Sequence, residues 1–103
     1  MITSFADLAP VHHGEVLLEE FLKPLGLSQN RLALNIGVSP RRINEIVLRK
    51  RRVTAKTALR LGRYFDTTPQ FWLGLQADYD LDVARDELGG RLDREVHGRA
   101  VAV

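Results

Sequence analysis

The chain contains no cysteine, which excludes disulfides and thiolate metal sites. It is poor in aromatics, at 7% of 103 residues with a single tryptophan, as suits a small helical domain. No apolar run approaches the ~18 residues of a membrane-spanning helix. The opening MITSFADLAP has neither a basic n-region nor an apolar h-region, so no secretory signal is expected and the cytoplasm is the expected compartment. Histidine is scarce as well. His12 and His13 are adjacent and cannot share a helix face, and His97 stands alone, so no metal site is expected. Asp78, Asp80 and Asp82 alternate as in a calcium loop, but Val83 stands where glycine is needed and Gly89 where the closing glutamate belongs. There is no Gly-x-Ser-x-Gly, no His-Glu-x-x-His and no phosphate loop. The reading is therefore of a non-enzyme without cofactor or metal.

What is present is charge, and it is segregated. The net charge is only +2. Residues 1–30 carry −3, residues 31–63 carry +9 and residues 64–103 carry −4. A basic centre of that density suggests a polyanion partner for the middle of the chain and a different partner for its ends.

The basic centre is built around Ser28 to Val47, SQNRLALNIGVSPRRINEIV. Ser28 is a good N-cap, and Leu32, Ala33 and Ile36 follow on one helical face. Gly37 ends that helix, since glycine takes the left-handed conformation without a Cβ penalty. Val38 is an apolar plug. Ser39 caps a second helix with Pro40 at its first position, and Ile43 and Ile46 point back inward. A small residue, a turn glycine and two apolar anchors at these offsets form the helix-turn-helix pattern. Ser39, Arg41, Arg42, Asn44 and Glu45 then lie at or near the outward N-terminal part of the second helix, where side chains read base edges in the major groove. Gln29, Arg49, Lys50, Arg51, Arg52 and Thr54 flank them as expected phosphate contacts.

Along the rest of the chain, residues 1–11 read as a loose leader. A first helix follows from Gly14, with Leu17, Leu18, Phe21, Leu22 and Leu25 as its inner stripe, and Pro24 is expected to end or bend it. Thr54 caps a later helix whose expected inner stripe is Ala55, Ala58, Leu59, Gly62 and Phe65, opposite a basic face of Lys56, Arg60 and Arg63. Gly62 calls for close packing on a neighbouring helix. Thr68 and Pro69 open a last long helix rich in large apolar residues. Phe71, Trp72, Leu75, Tyr79 and Leu81 are its expected subunit contact. Gly89 and Gly90 break the pattern, and Leu92 and Val96 give only a hint of helix in the tail. The chain divides into the leader, one domain over 12–86 and a flexible tail over 87–103.

Three stretches carry a resemblance to a known family: HHGEVLLEEFLKPLGLSQ, the helix-turn-helix with its RKRRVTAKTALRLGRYF continuation, and TPQFWLGLQADYDL. The chain resembles the HigA-like antitoxins of toxin–antitoxin modules, within the lambda-repressor-like (Xre) helix-turn-helix class. One departure is His12-His13-Gly14-Glu15, where the family usually has His-Pro-Gly-Glu. The resemblance implies an all-α, five-helix fold, a homodimer on double-stranded operator DNA, autorepression, and neutralisation of a toxin that is typically a messenger-RNA endonuclease. A small basic toxin would be met by acidic surface outside the basic middle, with Glu15, Glu19, Glu20, Asp80 and Asp82 as expected contacts. The alternative is a transcriptional regulator of the same fold without a toxin.

Overall fold

The protein is described by a computed structural model over residues 11–99. Apart from Val11, the expected leader lies outside the described residues, as do the last four residues of the tail. The described part is all-helical, as expected.

Helix α1 is continuous but uneven: an α turn His13–Val16, a π segment Leu17–Leu22 and an α turn Lys23–Leu25. Its cap is His12, whose Nδ1 accepts from the Gly14 N–H at 2.9 Å. Pro24 stands in its last turn, next to the final helical residue. The Lys23 N–H reaches five residues back to the Leu18 carbonyl, which widens the turn just before the proline and accommodates a residue with no N–H to donate. The helix ends one residue later, with Gly26 left-handed at φ 63°.

Helices α2 (Gln29–Ile36) and α3 (Pro40–Val47) are the helix-turn-helix. Ser28 and Ser39 cap them through their hydroxyls, and Gly37 turns the chain at φ 77°. Leu32, Ala33, Ile36, Ile43 and Ile46 are all buried, so the anchors expected from spacing are the anchors in the fold. Helix α4 (Ala55–Phe65) follows a short loop, then α5 (Pro69–Leu88) and a short α6 (Arg91–Glu95). The five expected helices are thus present, with a sixth short one in the tail. Helix α5 also runs two residues beyond the expected boundary at 86.

Packing corrects three expectations. Leu25 is 63% exposed rather than on the inner stripe, because it lies in the last turn, beyond the reach of the core. In α4 the stripe is Thr57, Ala58, Leu61 and Gly62, while Leu59 is 59% exposed and Ala55 is exposed too. The stripe is rotated because Thr57 can be buried: its hydroxyl bonds to Thr54 and to Arg42, which offsets the cost of hiding a polar group. Trp72 is 0% exposed in the monomer and so has no surface to offer a second subunit. Its indole N–H donates to the Thr67 hydroxyl at 2.8 Å, and its ring packs against Phe21, Phe65 and Phe71.

Two close approaches set the shape. A Cβ on Gly14 would overlap the Ile46 carbonyl oxygen, so the start of α1 lies directly on the end of α3. The close contact expected at Gly62 is with the Thr67 carbonyl, in the turn that launches α5.

The start of α1 also buries both histidines. Their rings stack with centroids 3.9 Å apart, and Tyr79 of α5 meets His12 edge-on. Burial, reinforced by the neighbouring His12, pulls His13 down to about 4, against the Arg51 backbone, which favours the charged ring. Burial also lowers His12, with Arg49 adding to the effect. Asp80 opposes both shifts. A histidine that folds neutral stabilises the fold above its unfolded value near 6.5, and that contribution is lost as pH falls toward 4. Urea titrations should therefore show the protein weakened by roughly 2–3 kcal/mol between pH 7 and pH 4, with His13→Phe much less affected. Equal acid sensitivity in both proteins would assign the loss to other groups.

Candidate nucleic-acid interface

Most cations of the +9 segment fall on α3, the loop after it and the starts of α2 and α4, while Arg60 and Arg63 lie further along α4. Each expected base-reading residue has a defined place on it. The Ser39 hydroxyl accepts from the Arg42 N–H, so it acts first as a cap. Arg42 is half-buried, with Nη1 3.4 Å from the Thr57 hydroxyl, which ties the start of α3 to α4. Asn44 donates its amide to the Gln29 side chain and so links the two helices of the motif across their outer edge. Arg41 is largely exposed, and its Nε donates to Glu45 at 2.9 Å.

Glu45 departs from the expected role. Its second oxygen accepts from Arg51 Nε at 2.8 Å, so one carboxylate brackets two guanidinium groups. Those two hydrogen bonds hold it below the usual carboxylate range. A carboxylate so engaged orders its neighbours, with one guanidinium N–H on each oxygen.

The flanking cations are arranged in the same way. Arg49 donates to Glu15 of α1 at 2.9 Å, and Arg52 donates to Asp80 of α5 at 2.6 Å. Lys50 forms no ion pair among the described residues. Arg49 itself sits at φ 64°, the left-handed turn that ends α3 and starts the loop. Glu15 and Asp80, expected on a toxin-facing surface, are therefore engaged with the basic loop. Glu19 pairs with Lys23 and Asp82 with Arg85, while Glu20 is exposed without an ion pair among the described residues.

Sequence reasoning missed Gln76. This α5 residue is buried and makes two bonds to the backbone of Val53: its Oε1 accepts from the N–H at 2.7 Å and its Nε2 donates to the carbonyl at 3.1 Å. It thereby pins the loop carrying the arginines to α5. The available signal was a glutamine four residues after Trp72, on the same buried stripe.

No described helix is long and apolar enough to cross a membrane. Among the described residues no group of three or more metal-ligating side chains comes together.

The geometry of two capped helices, a left-handed glycine turn and an arginine-rich outer edge agrees with a family model described as helix-turn-helix, which matches residues 18–72. The chain belongs to the helix-turn-helix family. Within it, the HigA-like proteins are the group it resembles in structure. It superposes on the antitoxin HigA of Pseudomonas aeruginosa, described with its higBA promoter, with a TM-score of 0.82 and 41% identity over 88% of this chain and 99% of that one. It is 52% identical to virulence-associated protein I of Dichelobacter nodosus over 79% of this chain and 75% of that protein. It is 44% identical to an uncharacterised helix-turn-helix-type transcriptional regulator of Haemophilus influenzae, over 70% of this chain and 67% of that protein. This HigA-like helix-turn-helix protein thus shares its fold with a protein described on its own promoter.

Proposed function

We propose that this chain is a cytoplasmic antitoxin that represses its own operon as a homodimer and neutralises a small basic toxin, a messenger-RNA endonuclease. The observation that carries the reading is the outer edge of α3 and the loop after it. Arg41, Arg42 and Asn44 occupy the helix end that enters the major groove in this class, and Arg49 to Arg52 flank it. The likeness to a HigA described with promoter DNA points the same way.

In this reading Ser39, Arg41, Arg42 and Asn44 touch base edges, with Glu45 setting the direction of Arg41. Gln29, Arg49, Lys50, Arg51, Arg52 and Thr54 hold phosphates. One such helix reads few bases. Two related by a two-fold axis, about 34 Å apart, read successive major grooves of a near-palindrome. The contact between copies is the part of α5 that the monomer leaves open. Phe71 is 38% and Leu81 51% exposed, and Leu75 and Tyr79 are half-buried. Trp72 has no part in it.

Toxin binding falls to acids away from the DNA surface, with Glu19 and Glu20 on α1 and Asp82 on α5 as its contacts. Opposite charge would speed encounter with a basic endonuclease and leave the DNA surface open in the complex. The likeness to a protein described only as a transcriptional regulator favours a second reading, the same repressor without a toxin. Co-expression with the product of the adjacent gene separates the two. The antitoxin reading expects a stable complex and relief of growth arrest, with association slowed by charge reversal at Glu19 and Glu20. Absence of any complex assigns the chain to the stand-alone regulators.

A further inference from the structure

The loop between α3 and α4 carries Arg49, Lys50, Arg51 and Arg52 in succession. Four adjacent cations repel one another and, left free, would each sample many rotamers. Each of the three arginines is instead held by a carboxylate from a different helix: Glu15 of α1 on Arg49, Glu45 of α3 on Arg51 and Asp80 of α5 on Arg52. Two of the three acids come from outside the helix-turn-helix. Both act on the buried His12, opposing the fall of its pKa, where the start of α1 meets α5.

We propose that Glu15 and Asp80 are positioning residues of the DNA interface, holding the Arg49 and Arg52 guanidinium groups in place for phosphate. The proposal rests on the DNA-binding reading above. Each pairing uses one N–H of a guanidinium that has five, so donors remain for a phosphate oxygen while the first bond persists. Part of the side-chain ordering that phosphate binding requires is then complete before DNA arrives. Exposed ion pairs are weak, so the expected benefit is modest, roughly two- to five-fold in affinity for each acid.

The sign of the effect is what makes it testable. Near a polyanion, loss of two negative charges should tighten binding through electrostatics alone. A positioning role predicts the reverse. The probe is the duplex upstream of the chain's own gene, titrated beside a scrambled duplex of equal length and salt. Glu15→Ala/Asp80→Ala should bind the upstream duplex roughly four- to twenty-five-fold more weakly than the wild type. Asp86→Ala/Glu87→Ala removes two acids that form no ion pair among the described residues and should bind as well as the wild type or better. In an Arg49→Ala/Arg52→Ala background, removal of Glu15 and Asp80 should no longer weaken binding, a result that a general loss of fold would not give. Glu15→Gln/Asp80→Asn keeps the acceptors without the charge and should fall between, which covers the case of an alanine variant that fails to fold. Unchanged or tighter binding by the alanine and amide variants overturns the positioning role while leaving DNA binding intact. A wild type that does not distinguish the two duplexes overturns the DNA-binding reading itself, and this proposal with it.

Discussion

Replacing Trp72 with alanine is expected to remove about 3–5 kcal/mol of stability, the range for deleting a fully buried aromatic. Trp72 is the largest fully buried side chain, and it closes the junction of α1, α4 and α5. Ring centroids lie 4.9 Å away at Phe21 and 5.1 Å away at Phe71. Truncation leaves a cavity bounded by rings anchored on three helices, which cannot all move inward together. It also leaves the Thr67 hydroxyl without its donor. Trp72→Phe retains most of the apolar surface and should cost much less. Thermal unfolding of the two variants checks this, since for a chain of this size each kcal/mol corresponds to about 4–8 °C. A small shift for Trp72→Ala, with unfolding still cooperative, would contradict the packing described. Dimer dissociation without loss of monomer stability would return Trp72 to the subunit contact.

Gln76→Leu is expected to have the second-largest effect. The substitution keeps the volume and adds apolar surface, so on burial alone it should be harmless. It strips both partners from the Val53 backbone, and that residue is itself buried. An orphaned buried donor and an orphaned buried acceptor together cost roughly 2–4 kcal/mol. The consequences should extend to function, because Val53 directly follows Arg52 in the arginine loop. Hydrogen exchange should therefore show the loop opening more readily in Gln76→Leu than the helices around it. Uniform loss of protection across the chain would mean that Gln76 supports the whole core rather than the loop.

The parts legible in the sequence were those governed by local rules. The Ser28, Ser39, Thr54 and Thr68 caps stand where their residue types place them, and Gly37 turns the chain where only a tolerant residue fits. The periodic anchors Leu32, Ala33, Ile36, Ile43 and Ile46 are buried as spacing required. What the sequence hid depends on contacts between distant segments. Periodicity assigns Thr57 to the surface and Leu59 to the core; the hydroxyl bonds of Thr57 reverse that. Apolar size alone marks Trp72, Phe71 and Leu81 as equivalent, and only packing separates a core residue from two exposed ones. Charge assigned Glu15 and Asp80 to a toxin-facing surface and helix position assigned Glu45 to base reading, whereas each holds an arginine of the same loop. Those pairings span up to 34 residues of sequence, beyond the reach of any local pattern.

Whether α3 reads sequence is decided by one titration. The wild type and an Arg41→Ala/Asn44→Ala variant are measured on the duplex upstream of the gene and on a scrambled duplex, at one salt concentration. The wild type should prefer the upstream duplex by at least about a thousandfold. The variant should lose roughly 1–3 kcal/mol per residue on the upstream duplex and far less on the scrambled one. Equal affinity of the wild type for both duplexes, or equal losses by the variant on both, would show a surface that grips phosphate without reading bases.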